Sequence, residues 1–170
     1  MLKLCVTFLL ITCAQVALAQ SNAQQRFRVQ VPTAAAILAP SGQVQLVHDE
    51  TNDDQIFTPQ VWTVKANSPQ GVSVTFSTTT PFNHANQPFQ RDVGLALALG
   101  TVTGPASWNV EAADSQSSYA QGVNSASVVA SSNGIGRAEL ALTVRFVTDS
   151  FGTFATGDYN TTVVGTVAAK

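Results

Sequence analysis

Period-two alternation of apolar and polar residues is the feature that most limits what this chain can become. It recurs from Arg26 nearly to the end, and helical spacing is almost absent. Successive side chains of a strand point to opposite faces, so alternation predicts half-buried strands. Phe27, Val29 and Val31 alternate with Arg26, Arg28 and Gln30, and Val44 and Leu46 alternate with Gln43 and Gln45. Trp62 and Val64 follow the same rule, as do Val72, Val74 and Phe76. Leu95, Leu97 and Leu99 alternate with Gly94, Ala96 and Ala98, whose small size predicts close packing or a covering layer. Trp108 and Val110, then Val128 and Val129, mark further strands. The run Leu140, Leu142, Val144, Phe146 and the closing run Tyr159, Thr161, Val163, Gly165, Val167 complete the series.

Turn-forming stretches separate these runs: Pro40-Ser41-Gly42, Asn67-Ser68-Pro69-Gln70-Gly71, Gly104-Pro105, Ser132-Asn133-Gly134 and Thr156-Gly157-Asp158. They supply fixed φ, positive φ or side-chain capping, which turns require. Strands at such spacing predict an all-β fold, an antiparallel β-sandwich of about eight or nine strands. Phe27, Trp62, Phe76, Leu97, Trp108, Leu142, Val144 and Phe146 are the expected core. Each such side chain stabilises the fold by about 1.5–3 kcal/mol when buried. Residues 115–124, SQSSYAQGVN, are polar and of low complexity and predict a long surface loop.

The first residues carry Lys3, an apolar run Leu4 to Ile11 and then Ala17-Leu18-Ala19, the pattern of a cleavable export signal. That run falls short of the roughly 20 apolar residues that span a bilayer, so no transmembrane segment is expected in the mature chain. Residues 1–19 therefore read as a signal peptide, 20–25 as a flexible lead and 26–170 as one sandwich domain, exported to the periplasm, cell surface or medium. Both cysteines, Cys5 and Cys13, fall in the leader. The mature chain then has no disulfide and must rely on its core. Over the whole chain eight Lys and Arg face ten Asp and Glu; loss of Lys3 leaves seven, a formal charge of −3. The remaining cations are scattered, which excludes the clustered positive charge that nucleic acid requires.

Chemistry concentrates at one place. The stretch HDETNDD, residues 48–54, holds one of two histidines and four of ten acidic residues. Asp49, Thr51 and Asp53 occupy the first, third and fifth positions of a calcium loop, but Asp54 stands where glycine is needed and Gln60 where the bidentate glutamate belongs. Asp49, Asp53 and Asp54 remain candidate ligands of a looser divalent site, against the plainer reading of a self-capping strand-to-strand loop. With only His48 and His84, and no Gly-x-Ser-x-Gly elbow, a hydrolytic triad is not expected. Gly134-Ile135-Gly136 has Glu139 where a phosphate loop needs its third glycine, and reads as a turn. No enzymatic activity and no cofactor are expected.

Both ends of the mature chain carry alternating strands that could be exchanged between copies: Phe27, Val29 and Val31 at the start, and Tyr159, Val163 and Val167 at the close. His48-Asp49-Glu50-Thr51-Asn52 before Phe57 and Trp62, together with the ending Gly157-Asp158-Tyr159-Asn160-Thr161-Thr162-Val163-Val164-Gly165-Thr166, resembles small exported bacterial surface proteins of uncharacterised function. More distantly the chain is similar to spore coat U and pilin-type subunits. That resemblance implies an incomplete immunoglobulin-like or pilin-like sandwich and homo-oligomers or polymers assembled by strand donation. The cysteine-free mature chain and Ala169 at the penultimate position depart from chaperone-dependent pilins. The expected function is a structural subunit of a surface or extracellular fibre. The alternative is a self-contained adhesion module that binds carbohydrate or a divalent ion, with Tyr119, Phe82 and Phe89 as stacking aromatics.

Overall fold

The computed structural model describes residues 23–30 and 35–170. The predicted leader 1–19, residues 20–22 of the predicted lead and Val31 lie outside the described residues. Two units are distinguished, Met1–Val31 and Pro32–Lys170. In the first, residues 23–30 form no strand, and Phe27 and Val29 are 83% and 87% exposed. The expectation that Phe27 opens the first strand and enters the core is thus corrected. Alternation makes a strand possible, but only a backbone partner makes one.

The second unit is all-β and antiparallel, as expected. One sheet contains β1 (Ala35–Leu38), β2 (Gln55–Ile56), β3 (Gln60–Ala66), β7 (Val93–Thr103), β9 (Asp114–Gln116) and β11 (Gly136–Phe146), in the order β1-β3-β11-β7-β9 with β2 paired to the end of β11. The other large sheet runs β13-β4-β10-β8, from β4 (Val72–Thr78), β8 (Trp108–Ala112), β10 (Ala126–Ser132) and β13 (Val163–Ala169). A small sheet, β12-β5-β6, joins β5 (Phe82–His84), β6 (Gln90–Arg91) and β12 (Tyr159–Asn160). The described residues therefore hold thirteen strands where about eight or nine were expected from turn spacing. The excess is mostly two- and three-residue strands, too short for alternation to reveal.

Between the two large sheets lies the core. β4 turns Val72, Val74 and Phe76 inward, and β10 sets Ala130 opposite Val74 and Val128 opposite Phe76. From the facing sheet come Val64, Leu95, Leu97, Leu140 and Leu142. β11 pairs Leu142 with Leu97 and Leu140 with Leu99, then Ala138 with Val102, so β7 carries one extra residue, a β-bulge at the Gly100-Thr101 step. Leu99 and Val102, on either side of the bulge, are exposed. Of the expected core, Phe76, Leu97, Trp108, Leu142 and Phe146 are buried, while Trp62 and Val144 pack against it partly buried. Gly94 bears out its reading: a side chain there would meet the Arg145 guanidinium, with Nε 2.6 Å from an added Cβ.

Two other expectations change. Gln43 to Leu46 is not a strand, and Val44 and Leu46 are 39% and 44% exposed. Residues 115–124 are not a plain loop: they contain the end of β9, a one-turn 3₁₀ segment Tyr119–Gln121 and a Ser118–Val123 bridge. Asp92 organises them, because its Oδ1 accepts from the Ser117 hydroxyl at 2.7 Å and from the Tyr119 backbone N–H at 2.8 Å. Among the described residues no helix is long and apolar enough to cross a membrane.

Candidate functional site

The HDETNDD stretch forms a loop ahead of β2, and its His48, Asp49, Thr51, Asn52 and Asp54 side chains are engaged either within the loop or by residues 145–151. Asp49 Oδ1 accepts from the Thr51 hydroxyl at 2.7 Å, the Thr51 N–H at 3.0 Å and Gln55 Nε2 at 2.7 Å. Those donors, the Thr51 hydroxyl first, hold the Asp49 carboxyl below its ordinary pKa, with burial a weaker opposing effect. Asp54 faces elsewhere: Oδ1 accepts from the Thr148 N–H, and Oδ2 lies 3.3 Å from Arg145 Nε. Asp53 contributes its backbone carbonyl, which accepts from Gln55 Nε2 and the Thr148 hydroxyl. Asp49, Asp53 and Asp54 thus do not converge; among the described residues no three His, Cys, Asp or Glu side chains gather with metal-ligand spacing.

His48 is the loop's inward anchor. Its Nδ1 accepts from the Glu50 N–H at 2.9 Å, which leaves Nε2 to carry the ring hydrogen and donate to Thr148 Oγ1 at 3.1 Å. The ring stacks on Phe151, with centroids 5.3 Å apart, and also meets Phe146 and Phe154. His84 repeats the arrangement: Nδ1 accepts from the Asn86 N–H, and Nε2 reaches the Thr156 carbonyl at 3.1 Å. Gly157, at φ +143°, is required beside it, since a Cβ there would collide with His84 Nε2. Both histidines therefore pin loops at one end of the sandwich, where Phe82, Phe146, Phe154 and Tyr159 meet largely edge to face.

A concavity opens beside this aromatic cluster and shares Phe82 and Tyr159 with it, where loop residues 39–44 approach the junction of β12 and β13. It is a groove of about 330 Å³ lined by Phe57, Trp62, Leu142, Val144 and Val163. The buried indole Nε1 of Trp62 has no hydrogen-bond partner among the described residues. β13 pairs with β4 along all seven residues, from Val163 opposite Thr78 to Ala169 opposite Val72, and is an edge strand of its sheet. Val163, Gly165 and Val167 turn inward and are partly buried, and Val164 turns outward. Tyr159 packs at the same end, its hydroxyl donating to the Ala155 carbonyl.

The sequence-level candidates are thus distributed as follows. Tyr159 and Val163 meet at the groove, and Val167 continues along the same strand. Phe27 and Val29 are exposed in the leading unit. Sequence reasoning missed the contributions of Phe57, Leu142 and Val144 to the groove, because alternation identifies an inward face without saying where that face is left uncovered. No family model matches this chain, and no curated protein matches it.

Proposed function

We propose that this chain is a non-enzymatic, exported structural subunit of a surface or extracellular assembly, built on an immunoglobulin-like, pilin-like sandwich and polymerising by β-strand addition. The observation that carries this reading is the outer edge of β13 beside an apolar groove, in a chain whose alternating Phe27 and Val29 are exposed and, among the described residues, lie in no strand. An incoming strand from a second copy, residues 26–31, would satisfy the edge amides and carbonyls of β13 and direct Phe27, Val29 and Val31 toward the groove. Arg26, Arg28 and Gln30 would then face water. Tyr159, Val163 and Val167 belong to the accepting side, because β13 is already committed to β4 in its own sheet. The terminal segment 20–25 serves as the link between copies.

Deleting residues 20–31 tests this. The full mature chain should form polymers by sedimentation and electron microscopy, and the deletion should leave monomers. Fibres that persist in the deleted form overturn the N-terminal donor. A second reading, a self-contained sandwich that acts as a binding or adhesion module, is favoured by the complete β13–β4 pairing. A mature chain that stays monomeric at high concentration would decide for it.

A further inference from the structure

Arg91 lies on β6 and is only 6% exposed. Its Nη2 donates to Thr153 Oγ1 at 2.8 Å, and its Cζ sits 4.5 Å above the Phe154 ring. The remaining donors are poorly used. Nε is buried without a hydrogen-bond partner among the described residues, and Nη1 lies 3.7 Å from Asp149 Oδ2, beyond hydrogen-bond reach. The Asp149 side chain is itself 69% exposed, so water competes for it. A guanidinium offers five donors in a planar fork, and burying one without a close anion is costly. Most buried arginines are paired; this one has its anion position incompletely filled.

Beside it is a second cavity of about 170 Å³, lined by Phe89, Gln90, Arg91, Tyr119, Thr153 and Phe154. Phe89 is 44% exposed. The fold thus brings Tyr119 and Phe89 to one cavity from segments that are distant in sequence, and Arg91, Gln90 and Thr153 line the same cavity. Aromatic faces suit the C–H face of a sugar ring, the Nη1 end of the guanidinium suits a carboxylate, and the Gln90 amide, which spends one N–H on Asn83, suits a hydroxyl. The volume admits one ring rather than a chain of them. We propose that this cavity is a binding site for a carboxylated monosaccharide unit, a hexuronate, with its carboxylate on Arg91 and its ring against Tyr119 and Phe89. The site is remote in sequence from the proposed donor segment and does not depend on strand addition; a polymer of such subunits would display it repeatedly, and a monomer would display it once.

The test is titration of the purified chain with glucuronate, glucose and acetate, followed by ligand-observed NMR and calorimetry. Glucuronate should bind saturably, and glucose and acetate each at least about tenfold more weakly, the worth of one charge-assisted hydrogen bond. Arg91→Lys keeps the charge and removes the fork; it should weaken glucuronate about tenfold. Because Arg91 also holds Thr153, Tyr119→Ala serves as the second variant: Asp92 accepts from the backbone N–H of residue 119, so the turn should keep its melting temperature and lose sugar affinity. Asp149→Asn removes the competing carboxylate and should tighten glucuronate binding. No saturable binding of glucuronate, equal binding of glucose or acetate, unchanged affinity in Tyr119→Ala, or weaker binding in Asp149→Asn would each overturn the proposal.

Discussion

The Trp62 and Phe76 rings meet edge to face across the two large sheets, with centroids 5.1 Å apart and planes inclined by 69°. Trp62 comes from β3 and Phe76 from β4, and the space that lets them meet is left by Gly165 on β13, directly opposite Phe76. A Cβ added at Gly165 would lie 2.8 Å from Ile37 Cδ1, 2.9 Å from Trp62 Cζ3 and 3.2 Å from Phe76 Cε1. Here glycine is needed for room, and the aromatic pair fills what its absent side chain leaves.

Gly165→Val should therefore destabilise the sandwich by about 1–3 kcal/mol through overpacking, with Gly165→Ala at the lower end of that range. Urea denaturation followed by tryptophan fluorescence would measure it. A variant as stable as the parent would mean that β13 does not close against Trp62 in solution.

Acid should loosen the HDETNDD loop. Asp49 titrates below its ordinary value because the charged form accepts from the Thr51 hydroxyl and amide. A lowered folded-state pKa contributes stability above the unfolded carboxylate value, near pH 4, which is lost as pH falls through the folded value. Thr51→Val removes the largest of these donors, so the Asp49 carboxyl resonance should titrate at higher pH in that variant. An identical titration curve would refute the hydrogen-bond explanation.

Alkali should act at the other end of the pH range. Burial raises the Tyr159 hydroxyl above its usual pKa, with Arg91 opposing. A raised value means that the neutral form is favoured in the fold. Its contribution is whole below the unfolded tyrosine value, near pH 10, and is lost as pH rises through the folded one. The absorbance difference between the parent and Tyr159→Phe isolates this phenolate, which should appear only above the ordinary tyrosine range. Arg91→Gln should delay it further; an earlier appearance would show that Arg91 does not act on Tyr159.

Alternation and turn chemistry were sufficient to place β3, β4, β7, β11 and β13, and to predict a sandwich whose core includes Phe76, Leu97, Trp108, Leu142 and Phe146. Those are local properties: each inward residue is specified by its immediate neighbours and the period of a strand. What local pattern could not settle was which alternating segment finds a backbone partner. Phe27 and Val29 share the pattern of Val163 and Val167, yet only the latter pair lies in a sheet. Likewise the four acids of HDETNDD look in sequence like one cluster, and the fold sends Asp49 to Thr51 and Gln55 but Asp54 to Thr148 and Arg145. By itself the sequence determined period, turns and hence fold class. Only the tertiary structure decided edges, grooves and the company of Arg91, because those depend on contacts between residues far apart in the chain, whose pairing is set by competition for partners across the whole sandwich.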